Sequence, residues 1–157
     1  MKKIIILQAI ILILLAANLA YSVDFSNPSN FFNSSEVISP KDRIQENQIH
    51  IYQDKIVIDI EGATYARYAD TGSMDPILDS EATGIEIVPI SEKDIQIGDI
   101  ITYQPTWTNN LVVHRVIQIG YDKEGWFAYT KGDNSSVIDP GKMRYGQVEY
   151  ILVGVFY

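Results

Sequence analysis

"LVVHRVIQIG", Leu111–Gly120, decides the fold class. Val, Ile and Leu fill most of it, one histidine interrupts it, and a glycine closes it. A run this rich in β-branched residues, bounded by turn formers, reads as a strand. Alternation places Val112, His114, Val116 and Gln118 on one face. The same pattern recurs along the chain. "IHIYQDKIVIDI" (Ile49–Ile60) alternates apolar and polar residues for much of its length, as a half-buried strand does. "ATYARYA" (Ala63–Ala69), "GIEIVPI" (Gly84–Ile90), "GDIITYQ" (Gly98–Gln104), "WFAYTKG" (Trp126–Gly132) and "VEYILVGVFY" (Val148–Tyr157) follow, with Gly, Asn, Asp and Pro at the connections. Evenly spaced short strands without helical periodicity predict a mostly β domain, a sandwich or a barrel. One short helical turn is expected after Ser73, bracketed by Pro76 and Gly84.

Composition narrows the chemistry. The 157 residues suffice for one domain with an appendage. A hydrophobic content of 46% against 20% charged residues predicts a chain that is mostly folded. Cysteine is absent, which excludes disulfides, thiolate metal sites and a cysteine nucleophile. A formal charge of −8 argues against nucleic acid as a partner, because phosphate calls for basic surface. Only His50 and His114 are available for histidine chemistry.

The N-terminus reads "MKKIIILQAIILILLAANLAYSV". Residues 4–23 form an apolar run long enough to cross a bilayer core. Lys2 and Lys3 in front of it predict a cytoplasmic N-terminus and a domain on the outer side. A cleaved signal peptide is the competing reading, since "ANLAYS" offers small residues for cleavage, but the run exceeds a typical signal core. Residues 1–23 are therefore expected to be a single-pass membrane anchor in contact with lipid. The polar, Asn/Ser/Pro-rich residues 24–47 are expected to be a tether, and residues 48–157 the β-rich domain. Phe31 and Phe32 in the tether suit packing on the domain or a membrane interface.

Three segments hold residues fit for catalysis. "DTGSMDP" (Asp70–Pro76) sets Ser73 in a turn between strand-like stretches. A serine hydroxyl is a weak nucleophile until a base takes its proton. His114, in its apolar strand, is the candidate base, against the alternative of a core histidine bonded to a backbone carbonyl. "YTKGDNSSVIDPG" (Tyr129–Gly141) supplies Asp133 and Asp139, either of which could orient an imidazole. Both sequences also make good turns.

Taken together, "GSMDP" (Gly72–Pro76), "GDIITY" (Gly98–Tyr103), "HRV" (His114–Val116) and "KGDNSSVID" (Lys131–Asp139) resemble the boxes of a type I signal peptidase, of the archaeal and endoplasmic-reticulum branch. The resemblance implies a signal-peptidase-like β domain behind one membrane helix. It implies Ser73 as nucleophile and His114 as base, where the bacterial branch has the lysine of a Ser-Lys dyad. Asp139 then matches the acid member and Asp133 a supporting group. Thr71, two residues before the nucleophile, matches a hydroxyl that helps bind the oxyanion, and Met74 shapes the turn beside the substrate. The implied substrates are signal-peptide-bearing precursors, cut after small residues at the outer membrane face, with no metal or cofactor. Two other readings stay open: a non-catalytic extracytoplasmic β-rich module, and a self-cleaving repressor-type peptidase, which would want a DNA-binding segment. Lys131 is a lesser candidate base, and His50 reads as structural. Asn33 and Asn134 each begin an Asn-Ser-Ser glycosylation pattern.

Overall fold

The computed structural model describes residues 37–157. The apolar run at 4–23, the Phe31–Phe32 pair and the Asn33 sequon lie outside the described residues. Nine strands form here: β1 (Ile49–Ile51), β2 (Ile56–Ile58), β3 (Thr64–Arg67), β4 (Thr83–Ile87), β5 (Ile100–Tyr103), β6 (Val112–Asp122), β7 (Gly125–Lys131), β8 (Met143–Arg144) and β9 (Val148–Phe156). The domain is β-rich, as the short apolar runs predict. Among the described residues no helix is long and apolar enough to cross a membrane.

Seven strands make one antiparallel sheet in the order β3-β4-β9-β5-β6-β7-β8. The last strand in sequence, β9, fits between β4 and β5, so the chain's end ties its two halves together. All four residues of β5 are buried, so both of its faces are covered. Ile101, Tyr103, Val116, Trp126, Ala128 and Ile151 share one core cluster. Ile100 and Leu152, each the sequence neighbour of a member of that cluster, belong to a second one with Met74, Leu78 and Ala82. Because adjacent residues in a strand point to opposite faces, the two clusters lie on opposite sides of β5 and β9.

Two details depart from the sequence reading. Ile49–Ile60 is not one strand but the hairpin β1–β2, closed by the Tyr52 N–H donating to the Lys55 carbonyl at 2.9 Å. Three consecutive polar residues, Gln53–Lys55, interrupt the apolar–polar alternation at the tip of this hairpin. In β6 the register slips between Val116 and Gln118, so strict alternation stops there and Gln118 pairs with Tyr129. A bulge of this kind adds one residue to a strand and resets which face follows.

The polar lead-in touches the sheet directly. Residues 37–45 have no regular secondary structure. The Lys41 N–H donates to Asp99 Oδ1 at 3.1 Å, and Arg43 donates to Asp99 Oδ2 at 2.5 Å and to the Asp94 carbonyl at 2.6 Å. Asp99 is fully buried just ahead of β5, and this ion pair together with the Gln96 N–H satisfies its carboxylate.

Candidate active site

Ser73 sits in the connection between β3 and β4. Gly72, at φ +66°, takes the left-handed conformation that lets the chain reverse in front of the serine. A hydrogen-bonded turn follows, with the Leu78 N–H donating to the Met74 carbonyl at 3.1 Å, in place of the short helical turn expected there; the Asp75–Pro76 bond within it is cis. Met74 and Leu78 are buried beneath it in the second core cluster. This leaves Ser73 half-buried, above the sheet rather than within it.

His114 reaches the serine from β6. It lies directly across from Ile101 of β5, with Tyr103 two residues further along that strand. Its Nε2 is 3.1 Å from Ser73 Oγ, and its Nδ1 is 2.7 Å from Asp139 Oδ2. The side chains of His114 and Asp139 are each 12% exposed. With Nδ1 donating to the carboxylate, Nε2 is the acceptor and the serine hydroxyl is its donor. The Thr71 hydroxyl stands 3.1 Å from Ser73 Oγ, and Ser73, already donating to the imidazole, accepts from it. The Ser73 N–H lies 3.5 Å from the same threonine oxygen, a long contact that leaves it free to serve another acceptor.

The two aspartates of the β7–β8 loop part company. Asp139 meets His114, while Asp133 forms a two-pronged pair with Arg115, at 2.7 Å from Nε and 2.6 Å from Nη2. Arg115 follows His114 in β6 and therefore points to the other face. Its third nitrogen donates to the Gly98 carbonyl at 2.7 Å. Asp133 thus holds the loop to the strand and does not contact the imidazole. Lys131 is also occupied, with Nζ donating to the Gly132 and Ser135 carbonyls at 2.9 and 2.7 Å. His50 is on β1 and contacts Asp59 at 3.0 Å.

The loop also grips the serine turn. The Asn134 N–H donates to the Ser73 carbonyl at 3.0 Å, and its side-chain amide to the Gly72 carbonyl at 2.9 Å. That amide is the nitrogen a glycan would occupy. The Asp133 N–H lies 3.4 Å from Met74 Sδ. Gly132 is what permits this approach: a Cβ there would stand 2.5 Å from the Ser73 carbonyl oxygen and 3.0 Å from His114 Nε2.

Two groups stand behind Asp139 that the sequence pattern does not single out. The Tyr103 hydroxyl donates to Asp139 Oδ2 at 2.9 Å and accepts from Thr130 Oγ1 at 3.0 Å. Burial pushes the Asp139 carboxyl up. The hydrogen bonds it receives from His114 and Tyr103, with the nearby Thr130 hydroxyl and the attraction of His114, outweigh that and hold it below the usual carboxylate range. Burial, with the Asp139 charge, pushes the Tyr103 phenol well above its ordinary value despite the opposing bond from Thr130, so it remains protonated as a donor.

Ser73 and His114 open onto a cavity of about 290 Å³. Tyr68, Met74, Leu78, Trp107, Leu111 and Val113 give it largely apolar walls, and Thr71 adds a hydroxyl at the serine end. A weak base and a hydroxyl meet at the mouth of a small apolar recess. Chemically, this arrangement can generate an alkoxide next to a bound carbonyl.

No protein-family model matches the chain, and no solved structure matches it. Among curated proteins it is similar to the signal peptidase complex catalytic subunit SEC11 of Scheffersomyces stipitis, with 31% identity over 88 residues. The match covers 54% of this chain and 52% of that protein, so the chain spans about half the length of the curated relative it matches. The similarity supports a signal-peptidase-like relationship.

Proposed function

We propose that this chain is a membrane-anchored serine endopeptidase of the signal peptidase type, cutting exported precursors after small residues at the outer membrane face. The observation that carries the reading is the unbroken line of hydrogen bonds from Ser73 Oγ through His114 to Asp139 at the mouth of an apolar cavity. The partial similarity to a signal peptidase catalytic subunit supports the substrate class.

In this mechanism the Ser73 oxygen attacks the carbonyl carbon of the scissile bond as its proton passes to His114 Nε2. Asp139 holds the ring in the required tautomer and stabilises the imidazolium. The oxyanion that forms is met by the Ser73 N–H and the Thr71 hydroxyl, both close to the attacking oxygen. The imidazolium then protonates the departing amine. The carbonyl fragment stays esterified to Ser73 until a water, deprotonated by His114, releases it. Met74 closes the cavity beside the serine, and Asp133 supports the site at one remove by pinning the loop to Arg115. The recess suits short apolar side chains next to the cut. Residues 4–23 would anchor the chain in the membrane, so enzyme and precursor meet at high effective concentration.

The test is cleavage of a precursor carrying a small-residue site by the full chain and its Ser73→Ala and His114→Ala variants. The reading expects cleavage by the wild type and none above background by either variant. Undiminished cleavage by purified Ser73→Ala would remove it.

A further inference from the structure

We propose that Tyr103 is a positioning residue of this site, its hydroxyl sharing Asp139 Oδ2 with His114 and thereby setting how strongly Asp139 holds the imidazolium; the inference rests on the Ser-His-Asp reading above. The geometry is specific. His114 Nδ1 and the Tyr103 hydroxyl approach the same carboxylate oxygen, at 2.7 and 2.9 Å. Tyr103 is 1% exposed and belongs to the first core cluster, so its ring cannot swing away. Thr130 Oγ1 donates to the phenol oxygen, which leaves the phenol proton one acceptor, Asp139. Asp139 is therefore fixed from three strands: by His114 on β6, by Tyr103 on β5, and by Thr130 on β7, whose carbonyl also accepts from the Asp139 N–H at 2.9 Å.

No cation competes for that oxygen among the contacts described. Lys142, beside Asp139 in the loop, is paired with Asp122 at 2.5 Å and lies over the Phe127 ring. Arg115 is engaged by Asp133, and Lys131 by two backbone carbonyls. The charge on Oδ2 is thus divided between two donors, and only one of them is the base. A second donor draws charge from the bond to the imidazolium and also stops the carboxylate from rotating. Tyr103 does not line the cavity that holds Ser73, so its effect on substrate binding should be slight.

The experiment measures kcat and KM against pH for the full chain, its Tyr103→Phe variant and Ser73→Ala as a control. Removing the phenol oxygen returns the whole Oδ2 charge to His114, so the imidazolium is held more tightly. The acidic limb of the kcat/KM profile should move to higher pH. Plateau kcat should fall by roughly threefold to thirtyfold as the carboxylate loses its second restraint, with KM unchanged. A wild-type profile in folded Tyr103→Phe overturns the inference while leaving the Ser73 reading intact. Cleavage by Ser73→Ala overturns the reading itself. If Tyr103→Phe does not fold, Thr130→Val decides. It leaves the phenol in place but removes the bond that polarises it. A smaller shift of the acidic limb in the same direction supports the proposal, and an unmoved limb overturns it.

Discussion

Breaking the Arg115–Asp133 pair should unfold the domain more readily than removing Asp139, although Asp139 is the aspartate that meets His114. The Arg115 and Asp133 side chains are 5% and 9% exposed, and both prongs of the pair are short. Arg115→Met strands a buried carboxylate and deprives the Gly98 carbonyl of its donor. Removing one partner of a buried pair costs about 3–5 kcal/mol. That is a large share of the roughly 5–15 kcal/mol by which a domain is stable. At this size it amounts to a fall in Tm of about 10–20 °C. The double variant Arg115→Met with Asp133→Leu should recover most of the loss, because an apolar pair of similar volume in place of a buried ion pair is often neutral or better. Asp139→Asn keeps an oxygen for both donors and should cost far less stability, yet lower turnover on the order of 10⁴-fold. Thermal melts and turnover on the same four proteins settle the matter. A neutral Arg115→Met, or a double variant as unstable as the single one, would refute the reasoning about the pair.

Three further outcomes follow from the same geometry. Gly132→Ala places a methyl group against the Ser73 carbonyl and His114 Nε2, and should lower kcat by about 10²-fold or more, measured as turnover at saturating substrate. His114→Ala should abolish turnover while Lys131→Ala leaves it nearly intact, since Lys131 Nζ serves only backbone carbonyls; the reverse pattern in a cleavage assay would point to a lysine base. Stability should fall at both ends of the pH scale. The lowered Asp139 carboxyl contributes stability above the ordinary carboxylate range that is lost as pH falls through its folded value. The raised Tyr103 and Tyr68 phenols contribute stability below about pH 10 that is lost as pH climbs further. Melts across pH check both limits, and ultraviolet titration should show these two tyrosines ionising only as the chain unfolds.

The β-rich class could be read from the sequence because each strand carries its own signal in Val, Ile and bounding turn residues. The β1–β2 hairpin is marked only by the polar run Gln53–Lys55, too short a break in the alternation to separate two strands on its own. Ser73, His114 and the two aspartates stood out as residue types in a chain with two histidines and no cysteine. Which aspartate faces His114 did not, because Asp133 and Asp139 share one loop and both suit turns. The structure separates them through Arg115, which takes Asp133 to the opposite face of β6. Tyr103 was harder still. Its closeness to Asp139 depends on the β5–β6 register and on the path of the β7–β8 loop, and neither leaves a mark in local sequence. Gly132 shows the same limit: the backbone approach it permits exists only once β7 and the serine turn have met.

The central claim, that Ser73 attacks a peptide carbonyl, is tested most directly by trapping the intermediate. A small-residue precursor is mixed with the full chain, quenched in acid during turnover and digested, and the peptide containing Ser73 is weighed by mass spectrometry. The account predicts a mass increase on Ser73 equal to the precursor fragment ending at the cut, lost on longer incubation and absent in Ser73→Ala. Turnover by Ser73→Ala, or the precursor fragment esterified to a different residue, would contradict it.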